Sequence, residues 1–314
     1  MATNGPIAQQ GFVMLLAVLV LVLGAAVWFA SVGTIRSDSV KMSIEEANLN
    51  RLYRVKEKML MYAMFQPEIF RTLSSKTTPL EQKDIPGPGY FPCPDIQGDG
   101  VSDAPCGAGV GFVTGVVPLN TSSRLFDFIE NPVEAKRFWY AVDSRFLTQN
   151  RDYYYDAAYK RFVPLNHRSP ATANLTLDGV EDIVMVLIYS GVPLLGQDQS
   201  VSKLANIGQF LERENADGGA NFVSVASGVE PFNDLVISIT LREWRAAMLS
   251  RVGLDLDGDG VADLCVDPAT AEGTFHWFNE CFTAGSEFLN CALNTDPPNQ
   301  NLYGQGWRAA LDCP

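Results

Sequence analysis

Charge is missing from the start of this 314-residue chain. Residues 1–11 carry no Lys or Arg, and Phe12 to Ile35 holds no charged residue. A leader without basic residues gives no help with orientation in a membrane, and it lacks the basic region of a secretory signal peptide. Histidine is nearly absent. His167 and His276 are the only two, and neither accompanies a nucleophile motif. There is no Walker loop and no G-x-S-x-G, so an enzyme is not expected. None of the six cysteines forms a C-x-x-C pair, and neither histidine stands at zinc-ligand spacing from two of them. Basic residues are outnumbered, 23 Lys and Arg against 36 Asp and Glu, for a net charge of −13. Such a surface repels polyanions, so no nucleic-acid partner is expected.

What is present begins with one long apolar run, FVMLLAVLVLVLGAAVWFASVGTI, from Phe12 to Ile35. A bilayer core needs ~20 apolar residues as helix, and this run is long enough to suggest a retained transmembrane helix. Charges resume at Arg36, Asp38, Lys41, Glu45 and Glu46. Met42, Leu49, Leu52, Val55, Met59, Leu60 and Ala63 then recur at three- and four-residue steps and mark one apolar stripe. The pattern predicts one helix of roughly fifty residues, its first half in lipid and its amphipathic second half packed on a domain.

Cys93, Cys106, Cys265, Cys281, Cys291 and Cys313 form an even set without metal spacing. Disulfides in an oxidising compartment follow from that, with Cys93–Cys106 favoured by proximity and the other four pairing among themselves.

The sharpest chemical signal is LDLDGDGVADLC. Asp255, Asp257 and Asp259 stand at positions 1, 3 and 5 of a calcium loop, with Gly260 at 6, Val261 at 7 through its carbonyl, and Asp263 at 9. Position 12 is Val266 rather than Glu, so the loop is shorter than an EF-hand. Asp95, Gln97, Asp99 and Asp103 make a second loop with one carboxylate fewer, closed by Cys106. Carboxylates this close repel without a cation, which favours a structural calcium ion, first in the Asp255 loop. The ordinary alternative is an Asp/Gly turn without an ion.

Elsewhere, Ile183 to Tyr189 reads as a strand buried on both faces and Leu235 to Thr240 as a strand with one buried face. Thr240 and Glu243 form a capping box that opens a helix striped by Trp244, Met248 and Val252. Leu204, Ile207, Phe210 and Leu211 make another apolar stripe. Asp152 to Asp156, with three tyrosines between them and Tyr159 beyond, reads as strand or as an aromatic platform for a glycan or surface.

A short polar leader ending in Gly11, with Phe12 opening a long apolar helix, resembles the prepilin-type cleavage and methylation segment of bacterial type IV pilins. The order GYFPCPDIQGDGVSDAPCGAGVGFVTGVVPL, KRFWYAVDSRFL, IVMVLIYSGVPLLGQDQS, IGQFLERENADGG and EPFNDLVISITLREWRAAMLSRV is similar to a group of large pilin-like proteins, across most of residues 12–252. The resemblance implies a prepilin peptidase cutting between Gly11 and Phe12, N-methylation of Phe12, and other pilin subunits as partners through the N-terminal helix. The protein would lie in the inner membrane with a periplasmic domain before it joins an extracellular filament. The acidic fifth residue of mature pilins falls here on Leu16. An apolar residue there suits a subunit with no neighbour to pair that carboxylate, hence a priming or tip position.

The expected fold is therefore α+β: a long N-terminal transmembrane and amphipathic helix packed on a mixed pilin-like domain, with a disulfide- and calcium-loop-containing C-terminal region. Its parts are a leader at 1–11, a transmembrane half at 12–35, an amphipathic half at 36–66, a globular domain at 67–252 and a disulfide-rich region at 253–314. The expected function is a minor pilin or pseudopilin that primes or caps a type IV pilus or related secretion filament. The alternatives are a tip adhesin with a surface or glycan ligand and a membrane-anchored periplasmic protein of another role.

Overall fold

The computed structural model describes residues 7–73, 88–103, 105–119, 137–147, 155–156, 161–162, 165, 172–225, 231–255, 258–262, 265 and 310–313. The chain divides into two compact units, Met1–Asn50 and Arg51–Pro314.

Helix α1 spans Ile7–Leu73. It continues past Gln66 and through Pro67, where the sequence reading ended it. In the first unit the large side chains from Met14 to Leu23 that the structure describes are all exposed, among them Leu16 and Val18 to Leu23.

One expectation is corrected here. Among the described residues no helix is long and apolar enough to cross a membrane. The fold built on a transmembrane half at residues 12–35, with a pilin-like domain packed against its continuation, is accordingly replaced by what the structure contains. That is a mixed sheet with two helices among the described residues.

The second unit is organised around strand β6, Val180–Tyr189. Its β-branched run is buried from Ile183 onward, because both faces of the sheet are covered. Strand β1 (Phe112–Val116) pairs antiparallel with β2 (Phe138–Asp143), and β2 pairs antiparallel with β6. The outer half of β6 pairs with β5, Leu175–Leu177, across a two-residue turn. Asp178 and Gly179 both take positive φ there, 52° and 77°, as a hairpin turn that follows the twist of its strands requires. Strand β7 (Asn221–Phe222) adds parallel to β5. The other edge of β6 takes β8, Leu235–Thr240, antiparallel, with Ile188 opposite Val236. A separate two-stranded ladder joins β3 (Tyr155–Asp156) to β4 (Arg161–Phe162).

One face of the sheet buries Trp139, Ala141, Val186, Ile188 and Val236 under Leu204, Phe210 and Leu211. The apolar spacing of 204–211 is met by short 3-10 turns at Val201–Lys203 and Ile207–Gln209 instead of a continuous helix. The segment around residue 200 is folded back by side chains: Gln209 Oε1 accepts from the Asp198 amide, and Asp198 Oδ1 accepts from the Ser200 amide.

Helix α2, Leu241–Val252, opens on the expected capping box. Thr240 Oγ1 accepts from the Glu243 amide and Glu243 Oε2 accepts from the Thr240 amide. Trp244, Met248 and Val252 are buried along one stripe. Trp244 Nε1 donates to the Gly89 carbonyl at 2.9 Å, and Gly89 N–H donates to the Ala63 carbonyl of α1. Leu52, Val55, Met59 and Ala63 of α1 are fully buried in this unit.

Candidate functional site

The Asp95 loop is bolted to the sheet. Asp95 and Val116 exchange both backbone hydrogen bonds at 3.0 Å, an isolated bridge onto β1. The carboxylate of Asp95 then folds over its own loop. Oδ1 accepts from the amides of Gly98 and Asp99, and Oδ2 accepts from Gly100 at 2.7 Å. Asp99 Oδ1 accepts from the Val101 amide, while Asp103 accepts from the amides of Ile96 and Gln97 and from Gln97 Nε2.

The Asp255 loop repeats this pattern where it is described. Asp255 Oδ1 accepts from Gly258 at 2.7 Å, Oδ2 accepts from Gly260 at 2.9 Å, and Asp259 Oδ1 accepts from Val261 at 2.8 Å. The glycines at positions 4 and 6 take matching left-handed φ, 75° and 91° in the first loop, 77° and 85° in the second. Two stretches far apart in sequence thus fold into one local shape, because Asp at position 1 and Gly at 4 and 6 recur.

The residues that could hold a cation are Asp95, Gln97, Asp99 and Asp103 in one loop and Asp255, Asp259 and the Val261 carbonyl in the other. Their donor chemistry, oxygen only, suits calcium. Asp257 and Asp263 lie outside the described residues. Among the described residues no group of three or more His, Cys, Asp or Glu is gathered as a metal site. The carboxylates face backbone N–H groups, each of which leaves further lone pairs on its acceptor oxygen. Burial, and then repulsion from Asp99 and Asp103, push the Asp95 carboxyl above its ordinary value against the pull of the Gly100 and Gly98 amides.

Each loop is followed by a cystine. Cys93 bonds to Cys106 and Cys265 bonds to Cys313. Cys281, Cys291, His167 and His276 lie outside the described residues, and of Gly11 and Phe12 only the helical backbone is described.

Sequence reasoning missed a cavity of about 320 Å³ beside the first loop. Ile96, Phe112, Trp139, Leu204 and Phe222 line it, together with Asn215. Phe112 and Phe222 meet edge to face at 6.3 Å, and Trp139 leans on Phe210 at 5.3 Å. Alternation along β1 and β2 could have placed Phe112 and Trp139 on one face, but no local signal announces Phe222.

Comparison of the chain with protein-family models, with curated proteins and with solved structures finds no match.

Proposed function

We propose that this chain is a minor pilin or pseudopilin-like subunit that primes or caps a type IV pilus or related secretion filament, positioned at its tip. The observation that carries this reading is the surface of α1. Exposed apolar side chains crowd the helix at Met14, Leu16 and Val18 to Leu23. A contiguous apolar patch of that extent marks an interaction surface. Neighbouring subunit helices are the covering proposed for it, and Gly11 and Phe12 are the processing residues that would expose it to them. The membrane-crossing helix is not part of this proposal.

Two cystines among the described residues support an oxidising compartment outside the cytoplasm. Each Asp loop carries a structural calcium ion in this reading, the Asp255 loop more tightly. The ion's role is to neutralise a carboxylate cluster and to hold irregular backbone beside a cystine.

Mass spectrometry of the mature N-terminus tests the assignment. N-methyl-phenylalanine at residue 12 supports it. A mature chain that begins near Ser31, or one that keeps residues 1–11, removes it. Labelled protein spaced along filament shafts would refute the tip position.

A second reading, a binding module for a surface or glycan ligand, is favoured by the aromatic cavity, since Trp and Phe faces offer stacking area. Deletion separates the two. Lost filaments indicate assembly, and normal filaments that no longer attach indicate binding.

A further inference from the structure

Glu212 and Asp234 stand apart from both Asp loops as a pair of carboxyls withdrawn from water, 6% and 3% exposed. They clasp each other reciprocally. The Glu212 amide donates to Asp234 Oδ2 at 3.1 Å, and the Asp234 amide donates to Glu212 Oε2 at 3.1 Å. The Asn233 amide and Gln197 Nε2 also donate to Glu212, and Asn215 Nδ2 donates to Asp234 Oδ2 at 3.0 Å. Asn215 is itself fixed by Val223 in both directions.

No cation pairs with either carboxyl among the described residues. On the same turn Arg213 faces Glu214 at 3.7 Å. In the neighbouring loop the Asp198 carboxylate receives the Ser200 amide. Beyond the Tyr189–Leu235 pair, β6 brings Ser190, whose fully buried Oγ has no hydrogen-bond partner. Asp234 Oδ1 is likewise buried without one, as are Asn233 Oδ1 and Gln199 Oε1. Two anions this close and this dry repel, and the inexpensive solution is a single proton between them.

We propose that Glu212 and Asp234 form a proton-operated latch, in which one proton held by the pair fastens the 204–219 segment against the start of β8 and its loss loosens that segment. Leu204, Phe210 and Leu211 of the segment belong to the core, and Asn215, Gly218 and Gly219 line the aromatic cavity, so the latch also steadies one cavity wall. This holds whether or not the cavity takes a ligand.

Burial, and then repulsion from Glu212, push the Asp234 carboxyl from an ordinary 3.8 up to about 8. A carboxyl raised in the closed state holds its proton where the opened state has already released it. The latch is therefore strongest near and below pH 3.8, weakens steadily as pH rises, and changes no further above about 8.

Hydrogen exchange on the full chain between pH 4.5 and 9, corrected for intrinsic rates, is the test. Protection of the amides of Phe210, Leu211, Asn215 and Ala216 should fall with pH by up to about tenfold per unit until the plateau. Amides of β2 and β6 should keep theirs. In Asp234→Asn the slope should vanish. Flat protection at 210–216 in the wild type overturns the proposal, as does an Asp234→Asn variant that keeps the wild-type slope. If that variant does not fold, Glu212→Gln serves in its place: with repulsion gone and burial remaining, the plateau should be reached at a lower pH, and an unchanged plateau overturns the proposal. If neither folds, the wild-type comparison of 210–216 against β2 decides.

Discussion

Lys56 Nζ on α1 lies 2.7 Å from Glu243 Oε1 in the first turn of α2, and the same ammonium donates to the Ser238 carbonyl of β8. One carboxylate therefore closes the capping box of α2 and ties α1 to the sheet edge. Burial works against its charge, but the bonds from Lys56 and Thr240 outweigh it and hold the carboxyl below its ordinary value.

From this follows an acid sensitivity. Glu243 has its folded value depressed, so its contribution is present above the ordinary value of 4.5 and is lost as pH falls through the lower one. Its side chain is 42% exposed, so solvent screens the pair. Thr240→Ala should cost about 1 kcal/mol through the lost cap. Lys56→Met should cost about 0.5 kcal/mol, less in high salt. Urea midpoints at neutral pH and near pH 3 would measure both, and the difference between wild type and Lys56→Met should shrink at the lower pH.

Asp143 is fully buried and meets Arg145 in two parallel bonds, from Nε at 3.0 Å and from the guanidinium at 2.7 Å. The Asn174 amide completes the carboxylate, and Arg145 also donates to the Thr172 carbonyl. Removing the guanidinium leaves a dry, unpaired charge. Arg145→Ala should lose about 3–5 kcal/mol by denaturant titration, and Arg145→Lys should recover little because it cannot supply the fork.

The bond between Cys93 and Cys106 closes a short loop, with a sequence separation of 13. A loop of that size is worth about 3 kcal/mol in restricting the unfolded chain. The paired replacement Cys93→Ser with Cys106→Ser should lower stability by roughly that amount. Thiol counting on the native protein should find both sulfurs unreactive.

Calcium is checked by calorimetric titration of the full chain after chelation. Binding heat should be lost in large part with Asp255→Ala, and Asp95→Ala should remove a second, weaker event. Chelation should lower the melting temperature. A chain that shows no heat and no shift on adding calcium contradicts the structural-ion reading of both loops.

Legibility in the sequence followed how local the cause was. The capping box at Thr240, the stripe of Trp244, Met248 and Val252, the buried run from Ile183 and the Cys93–Cys106 bond all depend on residues close together in the chain, and the structure places each as read. The turn at Asp178 and Gly179 carries an equally local signal, an Asp-Gly pair between apolar residues, that the reading did not use. The stripe from Leu204 to Leu211 misled for a physical reason. Its apolar side chains do point inward, but local backbone bonds of 3-10 type, such as Phe210 to Ile207, set its path. The transmembrane reading of residues 12–35 came from the length of one uncharged run and is the expectation that the structure corrects. The Glu212–Asp234 clasp and the cavity had no local signature: the first forms only once the residue before β8 meets the 204–219 segment, and the second only once β1, β2 and β7 meet it.

Strand β6 bonds to β2, β5 and β8 together, and those partners are drawn from positions 138 to 240. No short piece of the chain can complete the sheet by itself. Closure of such distant pairings is slow relative to helix formation, so a newly made chain should spend a comparatively long interval with its strand edges open. During that interval it is vulnerable to proteolysis and to self-association, and a factor that shields the edges would gain the most by acting before β8 arrives.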